Sequence, residues 1–136
     1  MYEISSRHAF SDLGGPSAEK PWVYNYGLIA VAVLMVLYSL TLIMDAVNKV
    51  EVVGGAFTLI AGLFLALIGV YHEGTTPHGF VSVWFFAQAD LAIATWGIGL
   101  LIRRWRSMGA ALTATGIVAP LLAAAIDWPS AGTAET

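Results

Sequence analysis

Cysteine is absent from this sequence and charge is scarce. Without a thiol there is no disulfide, no thiolate metal site and no cysteine nucleophile, and redox chemistry gives no hint of compartment. Charged residues make up 11% of the chain, against about 25% in a soluble globular domain. The six lysines and arginines form no patch able to track a phosphate backbone, and the net charge of -3 gives no reason to expect nucleic acid as a partner. The opening segment Met1–Lys20 is polar and turn-rich, and lacks the basic, apolar and small-residue succession of a cleavable signal peptide. Sustained polar–apolar alternation is missing too, which argues against membrane-spanning strands.

What the 136 residues do have is apolar length: 58% are hydrophobic and the mean hydropathy is +0.76. Four apolar runs cover Trp22–Met44, Val52–Tyr71, Phe80–Ile102 and Met108–Ile126. A helix needs about 20 residues to cross the hydrocarbon layer, and each run reaches that length. The intervening Asp45–Glu51, His72–Gly79 and Arg103–Ser107 are short enough to make neighbouring helices antiparallel, and Ser130–Thr136 forms a small polar tail. The expected fold is all-α, a single domain built as an integral membrane bundle of four antiparallel transmembrane helices.

Gly55, Gly62 and Gly69 recur every seven residues, as do Gly109, Gly116 and Ala123. Seven residues is close to two helical turns, so each set lines one face where another helix can approach closely. Pro120 lies inside the fourth run, where it should kink the helix or free a carbonyl near Gly116.

Lys49, Arg103, Arg104 and Arg106 gather at one end of the helices, against only Arg7 and Lys20 at the other. The positive-inside rule makes the first end cytoplasmic, so both termini and the loop Tyr71–Gly79 are expected outside a cell membrane. Trp22, Tyr24, Tyr26, Tyr71 and Trp128 fit the outer interface and Trp105 the inner one. The outer face then collects His8, His72 and His78 together with Asp12 and Glu73.

"SDLGG" (Ser11–Gly15), "YNYG" (Tyr24–Gly27) and "GVYHEGTTPHGFVSVWFF" (Gly69–Phe86) resemble the polytopic membrane proteins known only as domain of unknown function nine-nine-eight. The likeness spans roughly residues 5 to 100. It implies a polytopic helical fold, a loose likeness to proteins acting around membrane lipids, and no established chemistry. The family's polar positions fall on Asp12, Asn25, Glu73, His78 and Ser82. His72 stands where the family's loop has proline, and longer relatives carry a helix ahead of Ser-Asp-Leu-Gly, so this chain reads as a shortened member with one wall of any pocket missing.

Candidate sites each have a plainer alternative. Glu73 and His78 could form an acid/base pair, with Asp12 and Ser82 (or Ser11) as further catalytic candidates, but no nucleophile elbow surrounds either serine. Asp12 could equally cap a turn, and Asn25 a helix start. His72, Glu73, His78 and His8 have metal-capable chemistry without a helical ligand pair, so no metal and no cofactor is expected. Asp90 lies twelve residues beyond His78 in the sequence, about 18 Å down the helix and near the bilayer midplane. His78, Ser82, Phe86 and Asp90 at four-residue steps could form a polar descent to it. Alternatively, Asp90 is interhelical glue, hydrogen-bonded to Ser39, Thr41, Thr113 or Thr115. The expectation from these residues is a small multi-pass membrane protein without an identifiable reaction. It would be a non-catalytic subunit touching membrane lipids and packing with a larger membrane partner or with itself. The alternative is a membrane enzyme or lipid-binding protein using the outer Asp/Glu/His cluster.

Overall fold

In the computed structural model, which describes residues 13–16 and 18–126, four helices follow one another: α1 (Pro21–Asp45), α2 (Lys49–Val70), α3 (His78–Ile102) and α4 (Arg106–Ala125). All four are long and apolar enough to cross a membrane. Large apolar side chains such as Leu34, Met44, Val83 and Leu121 are exposed along them, as lipid-facing surfaces require.

Helix α2 starts at Lys49, three residues ahead of the expected Val52, and the cause is a cap. Asn48 Oδ1 accepts from Glu51 N at 3.0 Å, and the Glu51 carboxylate folds back to accept from Val47 N at 2.8 Å. This reciprocal arrangement satisfies donors that a helix start leaves unpaired. Helix α3 closes with Arg104 in the left-handed region (φ 68°), where its N–H reaches Leu101 O (3.0 Å) and Trp105 N reaches Leu100 O (2.9 Å). Such an ending reverses the chain within three residues and is usually built on glycine. Pro120 does not interrupt α4, which runs on to Ala125.

The helices pack in chain order, α1 on α2, α2 on α3 and α3 on α4. The bundle is therefore open, with α1 and α4 at its edges and α2 the most enclosed span. Its seams are made where side chains are missing. A Cβ on Gly55 would lie 2.6 Å from Ile43 Cγ1, one on Gly62 3.0 Å from Val36 Cγ2, and one on Gly69 2.7 Å from Asn25 O. These three glycines carry the α1–α2 seam. Gly109 (2.8 Å from Leu101 N) and Gly116 (2.6 Å from Ala94 N) carry the α3–α4 seam. The sequence pattern did not single out Gly54, which packs on Trp96, or Gly97, which packs on Thr113. Gly54 and Gly55 are consecutive, so α2 meets α3 and α1 on adjoining faces. A small core fills the angle: Ala32 of α1, Leu65 and Ile68 of α2, and Val81 of α3.

Gly62→Leu should cost about 1–3 kcal/mol by overpacking the α1–α2 seam. Gly27→Leu should cost nothing, since a Cβ there meets no atom within 4 Å. Thermal unfolding of both variants in the same detergent checks the contrast, and equal midpoints contradict the seam.

Candidate functional site

The loop between α2 and α3 is a closed turn. Tyr71 N bonds back to Leu67 O (2.7 Å), Thr75 N and Oγ1 both reach His72 O (3.1 and 2.8 Å), and His78 N reaches Thr75 O (3.2 Å). Gly74 takes φ 94°, a conformation open to glycine and strained for other residues. His78, the first residue of α3, staples the turn. Its Nδ1 lies 2.8 Å from Tyr71 O and its Nε2 2.9 Å from Glu73 Oε2. A carbonyl oxygen only accepts, so Nδ1 donates to Tyr71 O, which leaves Nε2 for the Glu73 carboxyl. Both ring nitrogens are thus engaged. Ser82, a catalytic candidate only if a histidine stood beside its hydroxyl, makes no hydrogen bond to His78 among the described residues. His72 behaves alike on a smaller scale, its Nδ1 donating to Glu73 O at 2.8 Å.

This loop lies against the turn that precedes α1. Pro16 Cδ would be 3.3 Å from a Cβ on Gly74, and Asn25 Nδ2 donates to Gly14 O at 3.0 Å. Asp12, Ser11 and His8 lie outside the described residues, so the part of the expected outer cluster that rests on them has no geometry here. Among the described residues no three His, Asp or Glu side chains converge on a point that could hold a metal ion, and the weak metal candidates His72, Glu73 and His78 serve the turn instead.

With that turn and four membrane-spanning helices in place, the comparison with known families is decisive: the family described as protein of unknown function (DUF998) matches over residues 4–136. The chain belongs to this family. No curated protein and no solved structure matches it. The DUF998 match runs through α4, past the stretch ending near Leu100 that the sequence motifs cover. Of the polar residues singled out in the sequence, Glu73 and His78 are paired with each other, Asn25 ties α1 to Gly14, and Ser82 stands apart.

Asp90 is the second polar feature of this DUF998 chain. It occupies the middle of α3, and its neighbours on that helix define the α4 face: Ala94 meets Gly116, Gly97 meets Thr113, and Leu101 meets Gly109. One turn earlier on the same stripe is Asp90. One turn beyond Gly116 on α4 is Pro120, so the antiparallel register sets the carboxyl level with the one residue of α4 that has no N–H to give Gly116 O. The interhelical glue expected for Asp90 is not there. Ser39 donates to Val36 O (2.6 Å), Thr41 to Tyr38 O (2.7 Å), Thr113 to Gly109 O (2.7 Å) and Thr115 to Ala111 O (2.7 Å). Each hydroxyl spends its proton on its own helix, a bond always within reach of a serine or threonine. Nor is the path from His78 to Asp90 enclosed, because Phe86 on it is 64% exposed.

At the opposite end the sequence reading missed a polar lock. Glu51 is completely buried, accepts from Val47 N (2.8 Å) and Asn48 Nδ2 (3.2 Å), and lies 3.5 Å from Arg103 Nη1. Asn48 Nδ2 also donates to Gly99 O (3.0 Å), tying the start of α2 to the end of α3. Arg103 in turn stacks over Trp105, 4.5 Å from the ring centroid. The signal was Asn-Lys-Val-Glu, an N-cap residue followed three positions later by glutamate.

His78→Ala should destabilise the protein by about 1–2 kcal/mol, from two hydrogen bonds at roughly 1 kcal/mol each. Glu73→Ala should lose part of the same energy. A double-mutant cycle in thermal unfolding should therefore be non-additive, and additive losses would show that the turn does not depend on the pair.

Proposed function

We propose that this protein is a non-catalytic subunit of the cell membrane, with both ends outside, whose α3–α4 seam receives a helix of a larger membrane partner or of a second copy. The observation that carries this reading is Asp90. A charged group at mid-bilayer costs about 2.5–3.5 kcal/mol even on the insertion scale, so it calls for a partner. Asp90 has none among the described residues, and the only basic residues in the spans are the first ones of three helices: Lys49, His78 and Arg106. A neighbouring helix bringing a cation or a hydrogen-bond donor to the half-buried carboxyl would meet that need.

Other features agree. The open packing leaves α1 and α4 at edges, and the Glu73–His78 pair is occupied with the turn, which disfavours the enzyme reading. The orientation rests on Lys49, Arg103, Arg104 and Arg106 at one end.

A photoreactive amino acid at Phe86, one turn from Asp90 and exposed, should capture a transmembrane protein in native membranes. Asp90→Leu should abolish that adduct. Adducts to lipid alone, or protein adducts indifferent to Asp90→Leu, would contradict the proposal. Labelling of Asn48→Cys by an impermeant reagent from outside would overturn the orientation.

A further inference from the structure

At the end of the bundle opposite the histidines, the turn from α3 to α4 carries Arg103, Arg104, Trp105 and Arg106 in succession. The start of α2 lies beside it, because Asn48 Nδ2 donates to Gly99 O at 3.0 Å, so Lys49 belongs to the same end. Against these four cations stand two acids, Asp45 and Glu51, which leaves +2 at this end of a chain whose net charge is -3.

The arginines are not equally committed. Arg103 lies 3.5 Å from the buried Glu51 carboxylate and stacks over Trp105, so it belongs to the lock between α2 and α3. Arg104 and Arg106 are both exposed. Neither makes an ion pair, a side-chain hydrogen bond or a ring contact among the described residues. Arg104 also holds φ 68°, a conformation relaxed for glycine and strained for a residue with a side chain. No contact of its guanidinium within the protein offsets that strain, so the group is presented to something outside.

The surroundings decide what that partner is. Trp105, Ile102 and Met108, all exposed, flank the two arginines with apolar surface, as residues do where headgroups meet acyl chains. A ligand here meets cations on its polar side and hydrocarbon contacts beside them. A guanidinium matches a phosphate through two parallel N–H···O bonds, and a single phosphate needs far less cationic surface than a nucleic-acid backbone. Choline and ethanolamine headgroups bring a cation of their own toward the arginines, whereas a headgroup of net negative charge brings none.

We infer that this turn binds the headgroup phosphate of an anionic diacyl phospholipid, with phosphatidylglycerol the fitting case. Arg104 and Arg106 take the phosphate oxygens, and the acyl chains run past Ile102 and Met108 into the bilayer. The site is separate from Asp90. It rests neither on a protein partner nor on which side of the membrane this end faces.

The full chain in nanodiscs of equimolar phosphatidylglycerol and phosphatidylcholine with identical acyl chains, released into native mass spectrometry, tests the inference. Retained glycerol lipid should exceed choline lipid on the order of tenfold, as two arginines at a membrane surface provide. Phosphatidylethanolamine in place of phosphatidylglycerol should show no such excess. Arg104→Gln and Arg106→Gln should each lower the preference several-fold. Lys20→Gln, the same loss of charge at the histidine end, should leave it unchanged. Arg104→Gly should lower the preference while raising the unfolding midpoint, because glycine relaxes the backbone at that φ. Equal retention of the two lipids by the unaltered chain, or retention of neither, would overturn the inference. So would an equal loss in Lys20→Gln, displacement of the lipid by inorganic phosphate, or an Arg104→Gly variant that loses stability and preference together. The headgroup comparison uses the unaltered chain, so it decides the matter even if a variant fails to fold.

Discussion

Between helices bathed in lipid tails, burying a leucine gains little that the lipid does not already provide, so attraction comes from backbones brought close enough for continuous van der Waals contact. In this protein that closeness exists because side chains are absent at the right places. Gly55, Gly62 and Gly69 let α1 lie along α2, Gly54 admits the backbone of Trp96, and Gly97, Gly109 and Gly116 interlock α3 with α4. Everything else is positioned by those seams. The ends of α2 and α3 then come together, and at one end Asn48 reaches Gly99 while Glu51 sits fully buried beside Arg103. At the other, His78 holds Tyr71 and Glu73 in a turn that touches Pro16 and Gly14–Asn25.

The polar groups divide by where the seams leave them. At the helix ends, acids and histidines find partners in the turns, so they read as architecture. In the middle of the membrane the hydroxyls are satisfied by their own helices, and Asp90 is left opposite a proline that leaves the Gly116 carbonyl without its N–H. Membership of the DUF998 family adds no reaction to this picture. What the described residues leave unpartnered inside the bundle is the Asp90 carboxyl and two buried amide oxygens, Asn25 Oδ1 and Gln88 Oε1.

The fold was legible because bilayer thickness converts directly into run length, and four runs near 20 residues allow few alternatives. Glycines at seven-residue spacing were legible for a similar reason, since a periodic gap is visible without knowing its neighbour. Gly54 and Gly97 were not, because each belongs to no repeat and matters only through the residue across the seam. Helix starts came late by one to three residues, most at α2, where Asn48 and Glu51 read as loop until the cap joined them to the helix. For the site, proximity of Glu73 and His78 followed from their spacing in a short loop, but that both would be consumed in stapling the turn did not. The fate of Asp90 was least legible. Whether a threonine donates to its own helix or across a seam depends on rotamers, which no sequence pattern encodes.

The central claim is that close small-residue seams join the helices in chain order and leave the outer two apart. Leu37 on α1 and Leu121 on α4 are both exposed and lie at matching depth by the antiparallel register. The absence of native cysteine lets Leu37→Cys and Leu121→Cys carry spin labels without background. Pulsed dipolar spectroscopy in nanodiscs should give a separation of about 18 Å or more, at least two interaxial steps of about 8–10 Å each. A distribution centred at one such step, about 8–10 Å, would mean that α1 and α4 close the bundle, and would contradict the account.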